Sequence, residues 1–179
     1  IVAEANFHLT TARGFTKEQL YSTASYEQQN LRGIQFGSDD LTGWSFSGQD
    51  LSNTVFRTSL THPSNMAEAD FSKANMTGVD ARESDLTRAN LSEANLTYAD
   101  LHRANLTDAD LSGANLTGAN LAATTLDSTI FTDAVIAGAT LSLGTAWSHR
   151  FTEEMLYSTA SYEAKDLRGI RTTEGSSMA

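Results

Sequence analysis

The chain has no cysteine. That excludes disulfides and thiolate metal sites while leaving the compartment open. Proline occurs once in 179 residues, low for a loop-rich protein, which implies that backbone N–H groups are needed for pairing. No apolar run approaches a membrane span, and no basic segment followed by an apolar stretch marks a leader. Positive charge is scarce. Twelve Lys and Arg against 22 Asp and Glu leave a formal net charge of −10, a surface that repels nucleic acid and anionic lipid. Neither a nucleic-acid partner nor membrane insertion is therefore expected. At 40% hydrophobic residues the chain is too apolar for disorder and long enough for one compact domain. Its opening, IVAEANF, lacks an initiator Met and reads as a processed protein or an excised piece.

What the chain does have is a period. Residues 88–106 read RANLSEANLTYADLHRANL, with Leu91, Leu96, Leu101 and Leu106 five apart. A five-residue step moves a helical side chain roughly 140° around the axis, which scatters the leucines over the cylinder. In a strand an odd step places successive leucines on opposite faces. The chain must bend within each repeat so that every leucine points at one interior. From Leu31 to Leu141 there are 23 such centres without a slip in phase, and only Thr61 and Ala81 are not Leu, Phe, Met or Ile. Two places before the centre, positions 69 to 119 hold nine Ala, Val79 and Ser84. One place before it, all twelve positions from Asn65 to Asn120 are Asn or Asp, suited to tight turns. Ser or Thr usually follows the centre, and the next position looks free to vary. Such self-similarity is the signature of a solenoid.

These residues resemble the pentapeptide repeat family, whose motif is A(D/N)LXX; residues 65–121 match it closely and 31–143 with drift. The resemblance implies an all-β solenoid, a right-handed quadrilateral β-helix with four repeats per coil and about six coils here. Thr61-His62-Pro63 is read as a local bulge, since Phe56 and Met66 remain two repeats apart.

A second pattern breaks the rhythm. Residues 15–34, FTKEQLYSTASYEQQNLRGI, recur at 151–170 as FTEEMLYSTASYEAKDLRGI, fifteen of twenty positions agreeing at an offset of 136. Thr16 with Gln19 forms a capping box and Phe15 with Leu20 a hydrophobic staple; Thr152, Phe151 and Leu156 repeat the cap and staple. A helix over 16–29 is expected to cover one solenoid end, where Ile34 and Trp44 replace alanines, and a helix over 152–164 the other. Ile130 and Val135 are expected to rest against the second helix or the segment around Trp147. Glu4-Ala5-Asn6-Phe7 looks like the last repeat of an earlier solenoid. The expected organisation is therefore 1–14, the end of a preceding solenoid or linker; 15–30, a capping helix; 31–143, the β-helix; 144–150, a linker; 151–166, the duplicate helix; and 167–179, the start of a next unit with a disordered tail. A unit of about 136 residues strung in tandem follows, with a lean toward a secreted or cell-surface array.

Catalytic chemistry is missing. His8, His62, His102 and His149 are scattered, and no EF-hand loop, His/Cys cluster, P-loop, G-x-S-x-G or dinucleotide fingerprint occurs. No enzyme activity, catalytic residue, metal or cofactor is expected. The five N-x-S/T sequons, at Asn75, Asn90, Asn95, Asn105 and Asn115, follow from the repeat itself.

With four repeats per coil and no slip, each face collects every fourth repeat. The faces of Leu31, Leu41 and Phe46 then carry −3 each, and that of Phe36 carries only Arg57. The candidate partner face is this neutral one: Asn75, Thr77, Asn95, Thr97, Tyr98, Asn115 and Thr117, with Val55 and Val135 toward its ends. Stacked Asn can form a self-satisfied amide ladder, and charge depletion is also what interface centres show. The expected function is a non-catalytic scaffold that binds protein or self-associates through a flat face. By family resemblance an alternative is a DNA mimic that inhibits a type II topoisomerase such as gyrase. A third is a binder of ice or polysaccharide through the Asn/Thr face.

Overall fold

A computed structural model of the chain describes residue 2 and residues 4–57, 63–142 and 150–173. The expected linker and the segment around Trp147 lie almost wholly outside the described residues, as do His62, His149 and the tail.

Each repeat is one side of a square, and the corner explains its residue types. In the repeat at Leu91 the Ala94 N–H donates to the Leu91 carbonyl at 3.1 Å, and Glu93 between them has φ 58°. A three-residue hydrogen bond with positive φ at the third position is a type II turn. The same left-handed residue recurs at Lys73, Arg88, Tyr98, Arg103 and Asp108, and as Gly43, Gly78 and Gly113. The position read as free to vary in the sequence is free in side chain but fixed in backbone. Ahead of the corner, Asn90 Oδ1 accepts from the Ser92 N–H at 3.1 Å and from the Ser92 hydroxyl at 2.7 Å. Where Asn or Asp precedes the centre, its side chain thus braces the bend out of the preceding strand. Leu91 and Ala94 both point inward and are fully buried.

Parallel bridges twenty residues apart stack the sides into four columns. They run through Asn65-Asp85-Asn105-Thr125, Asp70-Asn90-Asp110-Ile130, Asn75-Asn95-Asn115-Val135 and Asp80-Asp100-Asn120-Thr140. Most sides contribute a single bridge residue. Among the described residues only β1 (Asn120–Leu121), β2 (Thr140–Ser142) and β3 (Arg171–Thr173) form longer strands, parallel in that order. The interior is a continuous apolar spine, with Phe36, Phe46, Phe56 and Phe71 packed ring to ring at its early end.

The columns do slip once. Asp40 pairs with Asn65, Asp50 with Asn75 and Val55 with Asp80, each 25 residues apart. The Ser64 N–H donates to the Phe56 carbonyl at 3.1 Å, the bond that closes every other corner, and Arg57 pairs antiparallel with Pro63. Phe56 and Met66 are thus consecutive centres, and five residues are inserted at one corner. The skipped repeat is the one whose centre would be Thr61, a polar side chain that would otherwise have to enter the apolar spine.

The slip corrects the charge map. Leu31 and Leu51 join Met76, Leu96, Leu116 and Ile136, and that face carries one basic residue, Arg32, and one acidic, Asp50. Phe36 and Phe56 join Ala81, Leu101, Leu121 and Leu141, where Arg57, Arg82 and Arg103 balance Asp80, Glu83 and Asp100. Asp39, Asp40, Glu68, Asp85, Asp108 and Asp127 against Arg88 give the Leu41 face −5; Asp70, Glu93, Asp110 and Asp133 against Lys73 give the Phe46 face −3. Acidity gathers on two adjacent faces rather than three, and the other two are neutral. Val55 leaves the candidate face, and Asp50 takes its place below Asn75.

Each duplicated segment forms two one-turn helices where one was expected: α1 (Lys17–Tyr21) with α2 (Ala24–Glu27), and α3 (Glu153–Tyr157) with α4 (Ala160–Glu163). The break lies at a second cap. Thr23 accepts from the Tyr26 N–H while its hydroxyl donates to the Leu20 carbonyl at 2.7 Å; Thr159 does the same with Tyr162 and Leu156. Thr16 and Gln19 form the full capping box, and Thr152 caps α3 alone because Met155 lacks an acceptor.

Candidate functional site

The side chains of the candidate face are brought together and largely use one another. Asn95 Oδ1 accepts from the Thr97 N–H at 3.2 Å and its hydroxyl at 2.6 Å, and Asn75 and Asn115 hold Thr77 and Thr117 likewise. The Asn95 amide donates to Thr77 Oγ1 at 3.0 Å, and the Asn75 amide to Asp50 Oδ1 at 3.0 Å. All six are half-buried. Asn105 makes the same bond to Thr87 Oγ1, at 2.8 Å, on the acidic Leu41 face, so the amide ladder belongs to the fold and not to one side. Tyr98 differs. It is 69% exposed, and its ring lies across Gly118 of the next coil, where an added Cβ would come within 2.6 Å of it.

Next to this face the balanced charges pair closely. Arg82 grips Asp80 with two bonds of 2.8 and 2.6 Å and reaches Asp100 at 3.5 Å; Glu83 stands 3.5 Å from Arg57 and 3.8 Å from Arg103. Partial burial opposes ionisation of Asp80, but the bonds from Arg82 outweigh it and hold the carboxyl below its usual range. On the acidic faces the pairs are looser and more exposed, Arg88 to Glu68 at 3.6 Å and Lys73 to Glu93 at 3.9 Å.

The helical segments supply polar groups that the sequence reading did not single out. The Ser45 peptide lies at the lower edge of the first coil. Its N–H donates to the Tyr21 hydroxyl at 2.5 Å, and its carbonyl accepts from the Tyr26 hydroxyl at 3.0 Å. Two phenols thus satisfy the backbone groups that a preceding strand would otherwise pair. Burial pushes the Tyr21 phenol above its ordinary range. Trp44 packs edge-on to Tyr21 at 6.5 Å and beside Phe15 at 6.3 Å, as its replacement of alanine suggested. The signal was present in the sequence, since both tyrosines recur in the second copy. By contrast Ile130 is 46% exposed.

Residues ahead of the helices also pair with the stack. Asn6 bridges Gln35, and Thr140 bridges Arg171. Beside them Asp39 is buried: Oδ1 accepts from the Thr11 N–H and hydroxyl at 2.9 and 3.0 Å, and Oδ2 has no partner among the described residues. Burial drives its pKa up. Among the described residues no group of three or more His, Asp or Glu could hold a metal ion, and no helix is long and apolar enough to cross a membrane.

A family model for pentapeptide repeats matches in eight copies between residues 64 and 142. Among solved structures, a pentapeptide repeat protein from the thylakoid lumen of Arabidopsis thaliana is 35% identical over 62% of this chain and 70% of that one, with a TM-score of 0.48. Rfr23, a pentapeptide repeat protein from the cyanobacterium Cyanothece, is 20% identical over 78% and 81%, with a TM-score of 0.50. HetL, a pentapeptide repeat protein of a Nostoc cyanobacterium involved in heterocyst differentiation regulation, is 21% identical over 79% and 54%, with a TM-score of 0.47. No curated protein matches the chain. The likeness to Rfr23, together with the four bridged columns, implies the right-handed quadrilateral β-helix.

Proposed function

The chain belongs to the pentapeptide repeat family, and from that premise we propose that it is a non-catalytic scaffold, one unit of a tandem array of rods that presents flat faces to protein partners. One observation carries this reading: the same joint is built twice. The Ser25 hydroxyl accepts from the Val2 N–H, and the Ser161 hydroxyl from the Ile136 N–H. The Glu4 N–H donates to the Arg32 carbonyl, and the Gly138 N–H to that of Arg168. The Gln35 N–H donates to the Ala5 carbonyl, and the Arg171 N–H to that of Ala139. Each helix pair covers the end of one solenoid and opens the next. Between joints the rod offers its neutral sides, and Tyr98 is the prominent apolar side chain there.

The test places a photo-crosslinking amino acid at position 98, and separately at Asp108 on the acidic face, with extract from the source organism. The expected result is a discrete crosslinked polypeptide at 98 that Tyr98→Lys in competing unlabelled protein fails to suppress. Lys is tolerated at such a corner, as Lys73 with φ 59° shows. Equal labelling at both positions, or none at 98, overturns the neutral-face assignment.

The redistributed charge favours a second reading, the topoisomerase inhibitor that the family resemblance implies. Two adjacent acidic sides along coils about 4.8 Å apart form one negative flank, as a duplex mimic requires. A gyrase supercoiling assay decides it: inhibition that weakens with salt supports mimicry, and no effect at micromolar protein ends it.

A further inference from the structure

The two joints differ on the side that faces onward along the chain. In the first, α1 and α2 are occupied on both sides: Ser25 takes the preceding coil, and Tyr21 with Tyr26 takes Ser45 of the following one. In the second, Ser161 is occupied, but Tyr157 and Tyr162, which stand where Tyr21 and Tyr26 do, are 50% and 43% exposed. Leu167, the counterpart of fully buried Leu31, is 39% exposed. Together with Glu163 and Lys165 these residues line a hollow of roughly 520 Å³. The phenols are already arranged, their ring centroids 4.7 Å apart against 4.5 Å for Tyr21 and Tyr26.

Resting on the tandem reading above, we infer that the Tyr157–Tyr162 face is the docking surface for a pentapeptide-repeat coil of the 41–51 type, joined in cis to β3. The match fixes the chemistry of the occupant. It presents an edge peptide whose N–H meets Tyr157 and whose carbonyl meets Tyr162, and a bulky apolar side chain one place earlier, as Trp44 precedes Ser45. Continuity fixes the source. β3 already lies in register on β2, as residues 35–37 follow the first helix pair, so a repeat unit entered from β3 would reach this face in the register of the first joint. A second copy in trans is disfavoured because its own 41–51 coil is held by its own tyrosines.

The test compares the chain with a version in which residues 35–142 are appended after Ile170. Hydroxyl-radical footprinting read by mass spectrometry gives each tyrosine its own rate, with Tyr21 and Tyr26 as internal references. In the original chain Tyr157 and Tyr162 should label several-fold faster than their counterparts; in the extended chain they should fall to the same rate. Hydrogen exchange gives a second readout: the added amide equivalent to Ser45 should exchange slowly, and Tyr157→Phe, which keeps the ring, should speed it several-fold. Unchanged labelling in an extended chain that shows two folded solenoids overturns the inference. So does concentration-dependent protection in the original chain, which would make the occupant a second copy. Failure of crosslinking at position 98 strikes the partner reading and leaves this result untouched.

Discussion

At the scale of single residues the corner governs. Gly43 has φ 66° and nothing within 4 Å of where a methyl group would stand, so Gly43→Ala isolates backbone strain from crowding. It should lower stability by about 1 kcal/mol, the cost of placing an L-residue in the left-handed region, measured by urea unfolding. A centre costs more. Leu91→Ala, in a fully buried column, should cost about 2–5 kcal/mol by the same measurement. Asp39 is set apart by pH. Its folded-state pKa is raised by burial, so the folded protein holds that proton more tightly, and the stability so gained is present at low pH and lost as pH rises through the folded value. Asp39→Asn keeps an Oδ1 acceptor for Thr11, removes the buried charge, and should raise the midpoint of unfolding at pH 7 while leaving it nearly unchanged below pH 4. The centre, the alanine and the Asn/Asp were all legible in the sequence because each is a choice of side chain. The left-handed residue was not, since Glu, Tyr, Arg and Gly share only a dihedral angle.

At the scale of elements, the duplicated segment showed its caps but hid its break. Thr16 and Gln19 are recognisable from spacing alone. Thr23 and Thr159 serve at once as the end of one turn and the cap of the next, a dual role that no periodicity announces. Thr16→Ala should destabilise by about 1 kcal/mol, seen in thermal unfolding. Thr23→Ala should cost at least as much, because it removes both the acceptor for Tyr26 N–H and the donor to Leu20. The tyrosines were missed for a related reason: their partner is a backbone edge, which carries no residue identity to search for.

At the scale of the molecule the inserted corner decides what faces what. A strict count of fives places Met76 above Phe56; the bridges place it above Leu51. The sequence held the clue in Thr61, a polar residue at a centre, yet an insertion of one whole repeat leaves the phase of the centres untouched, so counting could not see it. Removing residues 58–62 and replacing Pro63 with Gly turns this corner into a regular one, with Arg57 and the new glycine in the two turn positions. The shortened loop should raise stability by about 0.5–1 kcal/mol through lower closure entropy, with an unchanged circular-dichroism spectrum. A loss of folding on deletion would show that the columns do not skip those residues.

Register also passes through the joint. The column that runs from Gln35 through Val55, Asp80, Asp100, Asn120 and Thr140 continues to Arg171, which holds the place of Gln35 in the second copy. Consecutive units would therefore share one orientation, and the distance between like positions would be six steps, about 29 Å. A chain so built is a graduated ruler. A ligand with several equally spaced binding groups would be measured against it, gaining avidity when its own interval matches and losing it when it does not.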